Sequence, residues 1–193
     1  MRMFARTIAL AAALSAAAAT AQEAVATLVG PDRQPVGEAT FTQTEAGVRI
    51  VVTLTGLTAA VPGAHGIHVH ETGSCTPDFH AAGSHFDPTG AKHGLENPEG
   101  PHAGDLPNIT VDEEGNATYE TVNDRVSLGD DPGTSLLAGD GSALIVHSAA
   151  DDQVTDPSGG SGEPIACGVI TRPGVEPPPP APGAEAAELE DAA

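Results

Sequence analysis

The chain has 193 residues, which suits one domain with extensions better than two full domains. It is strongly acidic, with 27 Asp+Glu against 7 Lys+Arg and a formal net charge of −20, which argues against nucleic acid or an anionic membrane surface as partner. With no Trp, one Tyr and four Phe, its core has to be built mostly from Val, Ile, Leu and Ala.

Residues 1–21 have the pattern of a secretory signal peptide. Arg2 and Arg6 give a positive start, Ile8 to Ala19 is an alanine-rich apolar stretch, and Ala19-Thr20-Ala21 offers a small-x-small cleavage site before Gln22. The apolar stretch is too short to span a bilayer, and no later segment is apolar enough. Export, to the periplasm or beyond the cell, follows as the expected localisation. Cleavage leaves five Lys+Arg against 27 Asp+Glu, a net charge of −22.

Residues 22–172 read as one domain of short strands. β-Branched runs at 40–44, 48–55 and 116–122 have Gly-Asn or Glu-Ala-Gly turn signals beside them, and 142–146 and 166–171 complete the set. No stretch after the leader has a capped helical period. Together with 23 glycines, the pattern predicts an all-β sandwich or barrel. Two connections, 71–107 and 148–165, are too long and turn-rich for hairpins, and such loops are usually functional or disordered. Residues 173–193, with Pro177 to Pro180 in a row and then alanine and acidic residues, are predicted to be a disordered tail. In an oxidising compartment Cys75 and Cys167, an even pair, are expected to form one disulfide. A pair of thiolate metal ligands fits less well, because histidines already supply two sites.

Those histidines are the most informative feature. His68-Val69-His70, His85, His93, His102, Asp105 and His147 include six of the chain's eight histidines in one ordered pattern. His68 and His70 alternate along a strand-like run and so share a face, and His147 directly follows an apolar strand from which it could close the same site. His85, His93, His102 and Asp105 lie in the long loop. Three imidazoles and one carboxylate suit a closed tetrahedral zinc site, while imidazoles alone suit copper or zinc. His65 reads as an exposed turn residue and His80 as a loop residue near Cys75.

The flanking text makes the pattern specific. GIHVHETGSC, AGSHFDPTGAKHG, GPHAGDLPNIT and IVHSAADD followed by IACGVI resemble the copper,zinc superoxide dismutases over about residues 24–171. That resemblance implies an eight-stranded Greek-key β-barrel with two long functional loops. It implies copper on His68, His70, His85 and His147, and zinc on His85, His93, His102 and Asp105, with His85 bridging. Asp151, four residues after His147, takes the place of a carboxylate linking the two sites through outer ring nitrogens. The short spacing from His70 to Cys75 looks like that of exported bacterial members. Superoxide is the implied substrate, and a homodimer is compatible with the sequence.

One position departs from the family, which usually carries an arginine three residues before its second disulfide cysteine. Here Pro164 stands there, and no Lys or Arg occurs between Val126 and Thr171. Arg125, Lys92, the more distant Arg172 or a partner's arginine are the stand-ins considered. Two functions follow: a superoxide dismutase slower than typical members, or a dismutase-fold protein for copper and zinc storage or delivery.

Overall fold

The structure, a computed structural model, describes residues 21–177, so nearly all of the expected leader and most of the Pro-rich tail lie outside the described residues. Among the described residues there are nine strand segments and one 3-10 turn, Phe79–Ala82. The strands are β1 (Glu23–Val29), β2 (Pro35–Thr44), β3 (Gly47–Leu54), β4 (Gly63–His65), β5 (Ile67–His70), β6 (Ile109–Val111), β7 (Ala117–Asn123), β8 (Ser142–His147) and β9 (Pro164–Ile170). Only Gly66 separates β4 from β5, so the nine segments amount to the eight strands expected.

Seven segments pair in the order β5-β8-β9-β1-β2-β3-β7, and β4 pairs with β6. β4 runs on into β5 at one edge of the large sheet. β6 turns at Asp112–Asn116, closed by Asp112 N–H to Asn116 O (2.9 Å), into β7 at the other edge. The β4–β6 pair therefore ties the two edges together and curls the sheet into a Greek-key barrel. Gly66 is the switch point. Its N–H donates to Ala149 O and its carbonyl accepts from His147 N–H, and an added Cβ would sit 2.7 Å from Ser161 Cβ. A side chain there would push His68 and the segment after His147 apart.

The strands β1, β2, β3 and β7 alternate buried and exposed residues, the mark of a sheet with one wet face. Their inward residues, among them Leu28, Phe41, Ile50, Val52 and Leu54, form the main core with Ile67, Leu106, Ile109, Leu128 and Leu136. Aliphatic residues and alanine make up most of it, as the composition requires. β5 and β8 are buried throughout, and β9 nearly so. Their outer face carries a second small core of Phe79, Ala82, Ala143, Ile145 and Cys167, packed against Val29 and Cys75. The Cys75–Cys167 disulfide, with Cα atoms 5.9 Å apart across 92 residues of sequence, pins this layer to β9. Closing a loop of that length contributes about 4–5 kcal/mol in the chain-entropy account.

Candidate metal centre

The residues of the sequence pattern converge in two groups that share one member. His68, His70, His85 and His147 bring one donor atom each within 4.8 Å of one another, and so do His85, His93, His102 and Asp105. All seven side chains are buried. β5 supplies His68 and His70. β8 supplies His147, from the strand paired with β5 through Val146 and Ile67. The long loop brings the others by folding back along the open side of β5. Val69 N–H donates to Gly104 O (2.9 Å), Phe86 N–H to Val69 O (2.8 Å), and Glu71 N–H to Ser84 O (2.9 Å). The loop predicted to lack regular structure is thus laid down as an irregular extra strand, which places His85 opposite His70 and Asp105 opposite His68.

Backbone carbonyls and carboxylates set the tautomers of the first group. His70 Nδ1 donates to Gly83 O (2.8 Å), and His147 Nδ1 donates to Gly162 O (3.0 Å). Each is left with a lone pair at Nε2, and those two nitrogens are 3.4 Å apart. His68 faces the other way round. Its Nε2 donates to Asp151 Oδ2 (2.7 Å), while Nδ1 is buried with no hydrogen-bond partner. A buried imidazole lone pair without a donor costs free energy unless something binds it. Burial also keeps these rings neutral. It lowers the pKa of His68 to about 3, of His70 to about 2 and of His147 to about 4. Three neutral imidazoles aiming lone pairs at one point fit a copper ion, so the donor set passes this test.

The second group is arranged around a carboxylate. Nδ1 of His85, His93 and His102 lie 2.8, 3.0 and 3.3 Å from Asp105 Oδ1. Asp105 Oδ2 is occupied by the N–H groups of Gly94 (2.8 Å) and His102 (2.9 Å). Burial would raise the Asp105 pKa, but hydrogen bonds from His85, His93 and Gly94 hold it well below the ordinary range. Burial would likewise lower His93, yet Asp105 and Asp151 together raise it to about 9. The two carboxylates therefore draw a positive charge into this spot. Three nitrogens and one anionic oxygen meeting there are the donors a closed zinc site uses.

Asp151 joins the groups. Its Oδ2 meets His68 Nε2 (2.7 Å), its Oδ1 meets His93 Nε2 (3.0 Å), and these partners hold it ionised against its burial. Asn108 grips the Asp151 backbone from both sides, donating from Nδ2 to its carbonyl (2.8 Å) and accepting its N–H (2.9 Å). Gly159 (φ 62) closes over the carboxylate, and a Cβ there would lie 1.8 Å from Asp151 Oδ1 and 2.9 Å from His93 Nε2.

Two residues outside the sequence pattern need a correction or an addition. His65 is not an exposed turn residue. It is fully buried, with Nδ1 2.7 Å from His147 O and Nε2 2.7 Å from Val61 O. It thus fixes the backbone of a pattern histidine. Both partners are backbone carbonyls, one of them 82 residues away in sequence, and no spacing rule reports such a contact. His80 is an exposed loop residue as expected, and its Nε2 is 3.2 Å from Glu163 Oε2.

The first group opens into a depression of about 550 Å³ with His70, His85 and His147 among its walls. Glu71, Asp87, Asp156 and Glu163 also line it, with Pro164 and Phe79, and no lysine or arginine of the described residues does. Lys92, Arg125 and Arg172 are not among its lining residues. Lys92 is held by Asp156 (3.2 Å), Arg125 donates to Asp105 O (2.6 Å), and Arg172 lies 3.9 Å from Asp130.

Comparison with known proteins agrees with this geometry. The family model described as copper/zinc superoxide dismutase (SODC) matches residues 36–170. A superoxide dismutase [Cu-Zn] 2 of Aquifex aeolicus is 44% identical over 150 residues, covering 77% of this chain and 86% of that protein. The superoxide dismutase [Cu-Zn] of Caulobacter vibrioides is 44% identical over 150 residues, covering 76% and 84%. The crystal structure of a SOD-like protein from Bacillus subtilis superposes with a TM-score of 0.71 at 38% identity, over 76% of this chain and 97% of that one.

Proposed function

Because this chain belongs to the copper/zinc superoxide dismutase family, oxidoreductases with copper and zinc as cofactors, we propose that it converts two superoxide ions and two protons to oxygen and hydrogen peroxide. On this reading His68, His70, His85 and His147 hold copper. His85, His93, His102 and Asp105 hold zinc, with Asp151 linking the two. The observation that carries the proposal is the sharing of His85 between both groups. A storage or delivery protein has no use for a second site built around a ligand of the first.

Copper, when bound, supplies the one-electron acceptor and donor that successive superoxide ions need. The chain's own residues do the rest. His85 turns Nδ1 towards Asp105, which leaves Nε2, with its lone pair, as the proton-accepting atom on the copper side, in the wall of the depression. A proton taken up there can be passed to peroxide as it leaves. Asp151 and the Gly83 and Gly162 carbonyls hold the other rings in one tautomer, so no proton is lost to them.

The negative walls of the depression, with Pro164 where the family carries an arginine, support a rate below that of typical members. Fields of this kind change on-rates of charged ligands by roughly 10–10³-fold and fade as salt screens them. Pulse radiolysis of the copper- and zinc-loaded chain is expected to show turnover per copper that increases from low to moderate salt, and to increase further in Pro164→Arg. A steep decline with salt would overturn the slow-guidance part. Absent turnover with both metals bound would replace the enzyme by a copper- and zinc-delivery protein. Export to the periplasm is part of the same reading, supported by the Arg2 to Ala21 pattern and by a disulfide suited to an oxidising compartment. Mass spectrometry of the exported chain is expected to find it starting at Gln22.

A further inference from the structure

Arg33 belongs to neither metal group. It lies in the turn joining β1 to β2, closed by Arg33 N–H to Gly30 O (2.9 Å) and Gly30 N–H to Gln34 O (2.9 Å). Its φ is 62, left-handed backbone that an arginine adopts only at a cost and where Gly or Asn would sit more easily. The guanidinium donates to Cys75 O (2.6 Å) and to Pro77 O, and lies 5.0 Å from the centre of the Phe79 ring. It thus spans from the first turn of the barrel to the disulfide segment.

That location borders the copper depression. A smaller hollow of about 200 Å³ is lined by Pro31, Arg33, Asp78, Phe79, His80 and Pro164. Phe79, His80 and Pro164 also line the larger depression, so Arg33 stands behind a wall common to both. It is beside Pro164, the position from which the usual arginine is missing.

Its charge is also the least compensated of the chain's described cations. Arg49, Lys92, Arg125 and Arg172 each have a carboxylate oxygen within 4.0 Å, and Arg33 has none among the described residues. Asp78 shares the small hollow without pairing with Arg33, so this exposed guanidinium, bonded to carbonyls, keeps more of its field than a paired one.

We propose that Arg33 is the anion-guiding residue of the copper depression, delivered from the β1–β2 turn in place of an arginine at position 164. It is a positioning residue: it does not touch the metal ligands, and it offsets part of the repulsion from Glu71, Asp87 and Glu163 at the rim. The substrate is superoxide if the dismutase reading holds, but guidance applies to any small anion and can be measured without turnover.

The test is azide titration of the copper- and zinc-loaded full chain, followed by the azide-to-copper charge-transfer absorption, with copper content measured on each sample. Arg33→Gln is expected to weaken azide binding about two- to fivefold at low salt, with the difference collapsing at high salt. Arg33→Lys keeps the charge but not the paired carbonyl bonds, and is expected to stay within about twofold of the parent. Unchanged azide affinity in Arg33→Gln overturns the proposal. So does an equal loss in Arg33→Lys and Arg33→Gln, which would make the carbonyl bonds, not the charge, the important feature. A chain with Arg33-dependent azide binding but no superoxide turnover would sink the dismutase reading alone. Turnover with azide affinity indifferent to Arg33 would sink this one alone.

Discussion

The β1–β2–β3–β7 side of the barrel and the β5–β8–β9 side bury their residues by different means. On the first, each strand pairs along its length, as in the eight consecutive partners of β2 and β3, and alternation puts Phe41, Ile50, Val52 and Leu54 inside. Nothing beyond sheet geometry is required. On the second, β5 has four residues and pairs with only one strand. Its other side and the outer face of β8 and β9 are covered by loop. That loop is held by histidines around Asp105, by Asp151 and by the disulfide. One side is stabilised by apolar area and the other by donor atoms, so perturbations should separate them.

Removing both metals is expected to have the largest effect. Binding at about 1,000 times the dissociation constant contributes about 4 kcal/mol, and each kcal/mol moves the midpoint of a domain this size by about 2–4 °C. Two ions contribute about 8 kcal/mol together, so differential scanning calorimetry should show a drop of roughly 16–32 °C. Hydrogen exchange should show protection lost across 71–107 and 148–163 and kept in β2 and β3. Uniform loss would dissolve the distinction. Phe41→Ala reverses the experiment. Cutting this fully buried ring should cost about 3–5 kcal/mol in urea unfolding while copper and zinc content stays stoichiometric. Loss of metal in that variant would show the two sides to be coupled. The smallest perturbation is local. Gly159→Ala places a methyl against Asp151 Oδ1 at a left-handed φ, a strain of about 1–3 kcal/mol. Zinc affinity should fall about 10–100-fold, as when the partner of a ligand is displaced. Competition with a chromophoric chelator reads this directly, and unchanged affinity would mean that Asp151 does not need its present place.

The same division explains what could be read in the sequence. Runs expected at 40–44, 48–55, 116–122, 142–146 and 166–171 correspond to β2, β3, β7, β8 and β9, because β2, β3 and β7 write their burial into local alternation and β8 and β9 are short apolar runs. β1 was not singled out, since alanines fill two of its inward positions and carry little strand preference. β4 and β6, three residues each, are too short to show a period. The ligand residues were legible because metal donors are few and their spacing is unusual. The parts that aim them were not. His65 under His147, Asn108 on the backbone of Asp151 and Arg33 behind Phe79 each act across 42 to 82 residues, through long-range contacts that leave no local pattern.

The loop laid along β5 also bears on how this chain behaves among its own copies. A strand with free N–H and C=O groups is a template on which another chain can add. Here Val69 and Glu71 are satisfied by Gly104, Phe86 and Ser84 of the same chain. The groups that gather the metals thus also cap the barrel's most vulnerable edge. A molecule that loses its ions and its disulfide loses that cap as well, and becomes sticky before it becomes unfolded.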